Sequence, residues 1–251
     1  MTFKKFFIYC LLSIPVLIFA QDTIYLDKKG RTVKSIALAN VYKVILQDTI
    51  ADSIFIEKEY TLSGQIKSER KYYEKDKIGS TSKSIFYEGL SVYWHGNGQI
   101  KAEKNYKKNQ YDGILKTYWK NGQLKRKDLY ELNKFVEGIC YDSIGNQVEH
   151  YPYELMPQFP GGEKMLFMYL SRNVKYPVVA QENKIQGRVI TQFVVDAEGK
   201  IVDLEVVRSV NWDLDAEALR VVRNMPNWIP GTQDGVKVRV KYTLPVNFRL
   251  Q

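Results

Sequence analysis

The chain has 251 residues, 45% of them hydrophobic and 13% aromatic, with a formal charge of +9. That is long enough for a leader and two modest domains with cores of their own. Lys and Arg are mixed with Asp and Glu along nearly the whole length, with no long basic run, which argues against nucleic-acid binding and for a solvated basic surface near anionic envelope polymers.

Residues 1–20 read as a secretory leader. Lys4 and Lys5 precede an apolar run from Phe6 to Ala20 that contains Pro15. At about 1.5 Å per residue the run spans roughly 22 Å, short of the roughly 30 Å of bilayer hydrocarbon. Cleavage after Ala20 and export to the periplasm are the expectation; an uncleaved inner-membrane anchor through residues 6–20 is the alternative. Cleavage would remove Cys10 and leave Cys140, which then has no partner for an internal disulfide. Set between Ile139 and Tyr141, Cys140 reads as a small buried hydrophobe.

Residues 21–59 form a β-rich opening segment, in which Asp27-Lys-Lys-Gly30 offers a first turn of a degenerate repeat. From 60 to 150 the chain repeats itself. The copies are Tyr60-Thr-Leu-Ser-Gly-Gln-Ile-Lys67, Tyr93-Trp-His-Gly-Asn-Gly-Gln-Ile-Lys101, Tyr118-Trp-Lys-Asn-Gly-Gln-Leu-Lys125 and a worn Tyr141-Asp-Ser-Ile-Gly-Asn-Gln-Val148. Between them recur acidic-glycine pairs, Glu88-Gly89, Asp112-Gly113 and Glu137-Gly138. Asn121-Gly122 is a strong hairpin signal, because glycine supplies the positive φ of a tight turn. Each unit is then a hairpin of about two dozen residues, and hairpins in a row can bury their aromatic faces on one another. His95 and His150 fall in or beside turns and read as surface residues, with no ligand cluster that would make them a metal site. The pattern from Tyr60 to Val148 resembles the MORN-type repeat variant of the antitoxin-like YwqK proteins, which implies an interaction surface or a spacer.

Composition changes after His150. No proline lies between Gln21 and Tyr151, whereas Pro152, Pro157, Pro160 and Gly161-Gly162 crowd the next stretch, so residues 151–160 read as a linker into a second domain at 161–251. There a helix over 163–172 is broken at Tyr176-Pro177, and Pro177 starts a short helix through Ala180 to Asn183. Strands follow at 188–195 and 200–207 with a turn at Asp196-Ala-Glu-Gly199. An amphipathic helix at 213–225 has Asp213, Asp215 and Glu217 early and Arg220 and Arg223 late, which suits the helix dipole. The last strand is expected over 236–250. Its even positions are apolar and include Val236, Val238, Val240 and Tyr242; its odd positions, Lys237, Arg239, Lys241 and Thr243 among them, are polar or basic. Pro245 lacks an N–H and confines this strand to a sheet edge. The fold class is thus multidomain: an all-β hairpin array followed by an α+β domain whose three-stranded antiparallel sheet packs against helices.

The order and words of the second domain resemble the C-terminal domain of the energy transducer TonB, in its Bacteroidetes-like form. The matching stretches are Phe159-Pro-Gly-Gly-Glu163, Lys175-Tyr-Pro177, Ile185-Gln-Gly-Arg-Val189, Phe193-Val-Val-Asp196, Leu214-Asp-Ala-Glu-Ala-Leu219, Trp228-Ile-Pro-Gly231 and Val240 to Phe248. The resemblance implies that a short segment of an outer-membrane TonB-dependent receptor, the TonB box, adds itself as a strand to the sheet edge at Val236–Val246. It implies a second contact at Asn173, Lys175, Tyr176 and Pro177. It also implies partnership with proton-driven inner-membrane motor proteins, although a short leader and a proline-free middle depart from an anchored transducer with a long spacer. Strand addition needs free main-chain donors and acceptors, and Lys237, Arg239 and Lys241 would favour an acidic segment. On this reading Val240→Pro removes a donor and abolishes binding. Dimerisation of an adaptor through the same edge is the alternative function. An enzyme is not expected, since no nucleophile motif, metal motif or phosphate loop is present, and no cofactor is called for.

Overall fold

The structure, a computed structural model, describes residues 21–48, 53–77 and 82–250. The expected leader at 1–20 lies outside the described residues. The chain divides into two compact units, 1–150 and 151–251. Among the described residues no helix is long and apolar enough to cross a membrane.

The first unit is one antiparallel sheet. Its strands are β1 (Gln21–Leu26), β2 (Thr32–Val33), β3 (Val41–Gln47), β4 (Ile54–Thr61), β5 (Ile66–Asp76), β6 (Lys83–Tyr87), β7 (Gly89–Trp94), β8 (Ile100–Lys107), β9 (Gln110–Tyr118), β10 (Leu124–Glu131), β11 (Lys134–Tyr141) and β12 (Gln147–Val148). They run in the order β12-β11-β10-β9-β8-β7-β5-β4-β3-β1-β2, and β6 also pairs with β5. These hairpin strands are compatible with the repeats expected from the sequence. The hairpins share a continuous meander, and their rings touch in a row across it. Phe55, Tyr72, Tyr87, Tyr106, Tyr111, Tyr130, Phe135 and His150 follow one another at centroid distances of 4.6 to 6.5 Å.

Among the described residues the repeat hairpins turn in two ways. At one end each turn has a main-chain bond closing a three-residue loop and a glycine in the left-handed region, as where Trp119 N–H donates to the Gln123 carbonyl and Gly122 has φ 85°. Asp27–Arg31 closes in the same way. At the other end are two-residue turns that the repeat words do not announce: Lys108-Asn109 and Leu132-Asn133, with φ of 50°, 69°, 47° and 69°. These explain the acidic-glycine landmarks. Glu88 accepts the Lys108 N–H at 2.9 Å and Asp112 accepts that of Leu132 at 3.2 Å, so each carboxylate secures the turn one unit further on. Asn109 and Asn133 return the contact by accepting the N–H groups of Tyr87 and Tyr111.

Cys140 is fully buried. The two histidines are half-buried, not surface residues. His95 Nε2 lies 2.9 Å from the Tyr118 carbonyl. His150 Nε2 lies 3.1 Å from Asp128 Oδ1, beside the buried pair in which Arg126 donates to Asp128 at 2.6 Å. His150 is 22 and 24 residues from Asp128 and Arg126 in sequence, and the pairing of β11 with β10 on one side and β12 on the other brings them together. Gly138 makes room: a Cβ there would lie 2.1 Å from Asp128 Oδ1.

The second unit holds β13 (Glu154–Leu155), α1 (Gly162–Asn173), α2 (Val178–Glu182), β14 (Gly187–Val195), β15 (Ile201–Arg208), α3 (Trp212–Arg223), β16 (Thr232–Gln233), β17 (Val236–Lys237) and β18 (Val240–Phe248). The helices and the sheet β15-β14-β18 enclose a core of Leu166, Ala180, Val189, Phe193, Leu214, Val221, Trp228, Val246 and Phe248, among others. Asn211 caps α3 by accepting the Leu214 N–H. The single strand expected over 236–250 is two. Val236–Lys237 pairs with β16 in a small sheet β13-β16-β17, and only from Val240 does the chain join β14. The stretch expected as a linker is packed: Tyr153 and Phe159 are buried in the second unit.

Candidate partner-binding edge

β18 lies at the edge of its sheet, paired to β14 from Val240↔Val195 to Phe248↔Gly187 without a break in register. Leu244, Val246 and Phe248 are buried, while Lys241, Thr243, Pro245 and Asn247 are exposed. The backbone is sorted with the same parity. Pro245 has no N–H and stands opposite Ile190, so it occupies a position whose main-chain groups point away from β14. By alternation Lys241, Thr243 and Asn247 also direct N–H and C=O outward, whereas Val240, Tyr242, Leu244 and Val246 spend theirs on β14. Thr191 Oγ1 also donates to the Leu244 carbonyl at 3.0 Å, on the inward side. The open donors nearest the start of the strand are therefore Lys241 and Thr243.

Not every residue expected at the edge is there. Val236 and Lys237 belong to the small sheet, and Val238 donates to the Gly231 carbonyl at 3.0 Å. Arg239 donates to Asp203 at 2.9 Å. Gln192 donates to Thr243 Oγ1 at 3.3 Å.

The Asn173–Pro177 stretch meets the other end of β18. Tyr176 packs edge-on against Phe248 at 5.8 Å, and its hydroxyl donates to the Ile185 carbonyl at 2.6 Å. Pro177 caps α2, with an extended backbone. The main chain here is fastened to α3. Lys175 N–H donates to Glu217 at 2.6 Å, Arg220 grips Glu217 at 2.7 and 2.8 Å, and Arg220 also donates to the Asn173 carbonyl at 2.7 Å. Burial works to raise the Glu217 pKa, but the bonds from Arg220 and Lys175 outweigh it and hold the carboxyl below its ordinary value. The Glu217–Arg220 spacing is legible as a helical i,i+3 pair; its grip on a segment more than 40 residues away is not. The two expected contact groups thus sit at opposite ends of one strand, roughly 20 Å apart at about 3.3 Å per residue.

Comparison with known proteins bears on this same stretch. Residues 172–250 match the family described as Gram-negative bacterial TonB protein C-terminal. Protein TonB of Helicobacter pylori strain 26695 is 31% identical over 78 residues, 30% of this chain and 27% of that protein. Protein TonB of strain J99 is 31% identical over 78 residues, 30% of this chain and 28% of that protein. The chain therefore spans little more than a quarter of the length of these curated relatives. Two NMR solution structures of the Helicobacter pylori TonB-CTD are also similar. One has 24% identity and a TM-score of 0.28, covering 37% of this chain and 87% of that one. The other has 22% identity and a TM-score of 0.26, covering 36% and 99%. Both β18 and the segment before Pro177 lie inside the stretch that is similar to the TonB C-terminal domain.

Proposed function

We propose that this is a cell-envelope protein whose second unit docks a short segment of an outer-membrane receptor by strand addition along β18, with the hairpin array as the module that carries it. The observation that supports this most is the open edge at Lys241–Thr243, with main-chain groups turned outward on a strand otherwise anchored in the core. Main-chain pairing gives affinity with little sequence demand, and the exposed Lys241 beside it favours an acidic segment. Pro245 withholds one outward donor, so the pairing is tightest before it. A segment of six or more residues would reach from Thr243 to Tyr176.

The test is an amide chemical-shift titration of the whole chain with a receptor-derived acidic peptide. Lys241, Thr243 and Asn247 are expected to shift, with smaller changes at Asn173–Lys175. A titration that moves none of the β18 amides rules the docking reading out.

A further inference from the structure

The last full strand of the repeat sheet is covered along only part of its outer edge. β12 pairs with β11 at Cys140 and Tyr141 and no further. His150 follows β12 against Gly138 and stacks on Phe135 at 4.6 Å, and beyond that Lys134–Glu137 have no strand beside them among the described residues. The interior strand β9, in the equivalent place one unit earlier, is paired on both sides. The uncovered stretch is apolar at Phe135 and Val136, which are 41% and 45% exposed, and Leu132 in the adjoining turn is 53% exposed. Arrays of stacked units need a polar end to stay soluble, and an open edge with apolar side chains is a template for another strand.

The charges name the occupant. Lys134 pairs with Glu131 and Glu137 with Leu129. Glu131 and Leu129 are two apart on β10 and share a face, so Lys134 and Glu137 do too, the register slip at Val136 absorbing the extra residue. Both side chains are exposed, and neither has an ionic partner among the described residues. Laid antiparallel on itself about a two-fold axis, Lys134-Phe-Val-Glu137 is its own complement. Lys134 of one copy meets Glu137 of the other, twice, and Phe135 meets Phe135 across the axis, with Val136 left in the bulge. A partner strand of uniform charge would leave one of the two charges facing its like.

We infer that the open edge of β11 is a homodimer interface, taken by the same edge of a second copy of this chain. It uses no residue after His150 and is independent of docking at β18. The test is sedimentation velocity of the full chain over a concentration series, with circular dichroism to confirm that each variant is folded. The native chain is expected to show a concentration-dependent dimer. Lys134→Glu and Glu137→Lys each set like charges face to face and are expected to weaken it about tenfold or more. The double swap Lys134→Glu/Glu137→Lys restores both pairs and is expected to return the native affinity within about threefold. A native chain that stays monomeric, a dimer that ignores the single swaps, or a double swap no better than the singles would overturn the interface.

Discussion

Glu217 is only 8% exposed, yet its carboxylate is charged and receives three donors. Because its folded pKa is depressed, the stabilisation it supplies is fully present above the ordinary carboxylate value of 4.5 and is lost as pH falls through the lower folded value. Glu217→Gln keeps the shape and removes the charge. It is expected to lower stability by about 2 kcal/mol at neutral pH, the scale of hydrogen bonds to a charged group. The gap from the native chain should narrow as pH falls below 4.5 and through the lowered folded value, where native Glu217 itself becomes protonated. Urea denaturation over a descending pH series checks this; a gap that stays constant throughout would mean that the carboxylate charge is not what holds Asn173–Lys175. Residue types of this kind are visible in the sequence, but their partners are tertiary. The same is true of His150, whose place beside Asp128 follows from the pairing of β11 with both β10 and β12 and from the missing side chain at Gly138.

At the scale of elements, period-two alternation reveals extended backbone and which face is buried, and it does so for β18 with its parity intact. It does not reveal which sheet an extended segment joins. Val236, Val238 and Val240 keep the rhythm while the chain passes from the small sheet to the main one. Nor does it say which donors are free until the neighbour is known. The register with β14 moves the informative substitution from Val240 to Thr243. Val240 directs its N–H toward Val195, so Val240→Pro breaks the protein's own ladder and is expected to lower stability by roughly 1–3 kcal/mol. Thr243 shares the parity of Pro245, where proline is already accommodated. Thr243→Pro is therefore expected to keep a near-native Tm while weakening peptide binding several-fold. Thermal denaturation beside a peptide titration separates the two. If Thr243→Pro binds like the native chain, the peptide does not pair there. In the array, the Gly turns were legible because glycine marks them. The Lys108-Asn109 and Leu132-Asn133 turns were not, because their left-handed residues are ones that also occur in strands and helices.

At the scale of the whole chain, the proline-rich stretch before Gly161 decides where the second unit begins. Prolines usually punctuate linkers, and 151–160 reads that way, yet the aromatic residues interleaved with the prolines tie it down. Tyr153 is 4% exposed and Phe159 5%. Phe159 packs against Tyr169 at 5.5 Å and Trp228 at 5.8 Å. Gln158 and Ile229 exchange two main-chain bonds of 3.0 and 2.8 Å, and β13 pairs with β16. Burying each aromatic ring contributes about 2 kcal/mol, so removing both costs about 4 kcal/mol, a large share of the roughly 5–15 kcal/mol that holds a domain together. A fragment beginning at Tyr151 is therefore expected to unfold in one cooperative transition. A fragment beginning at Gly161 should be less stable by about that amount or fail to fold. Chemical denaturation of the two fragments measures the difference directly. Equal midpoints and slopes would mean that the strap adds nothing and that the unit starts at α1; a lower midpoint for the shorter fragment assigns 151–160 to the docking unit, with Phe159 holding Trp228 beneath Tyr242 of β18.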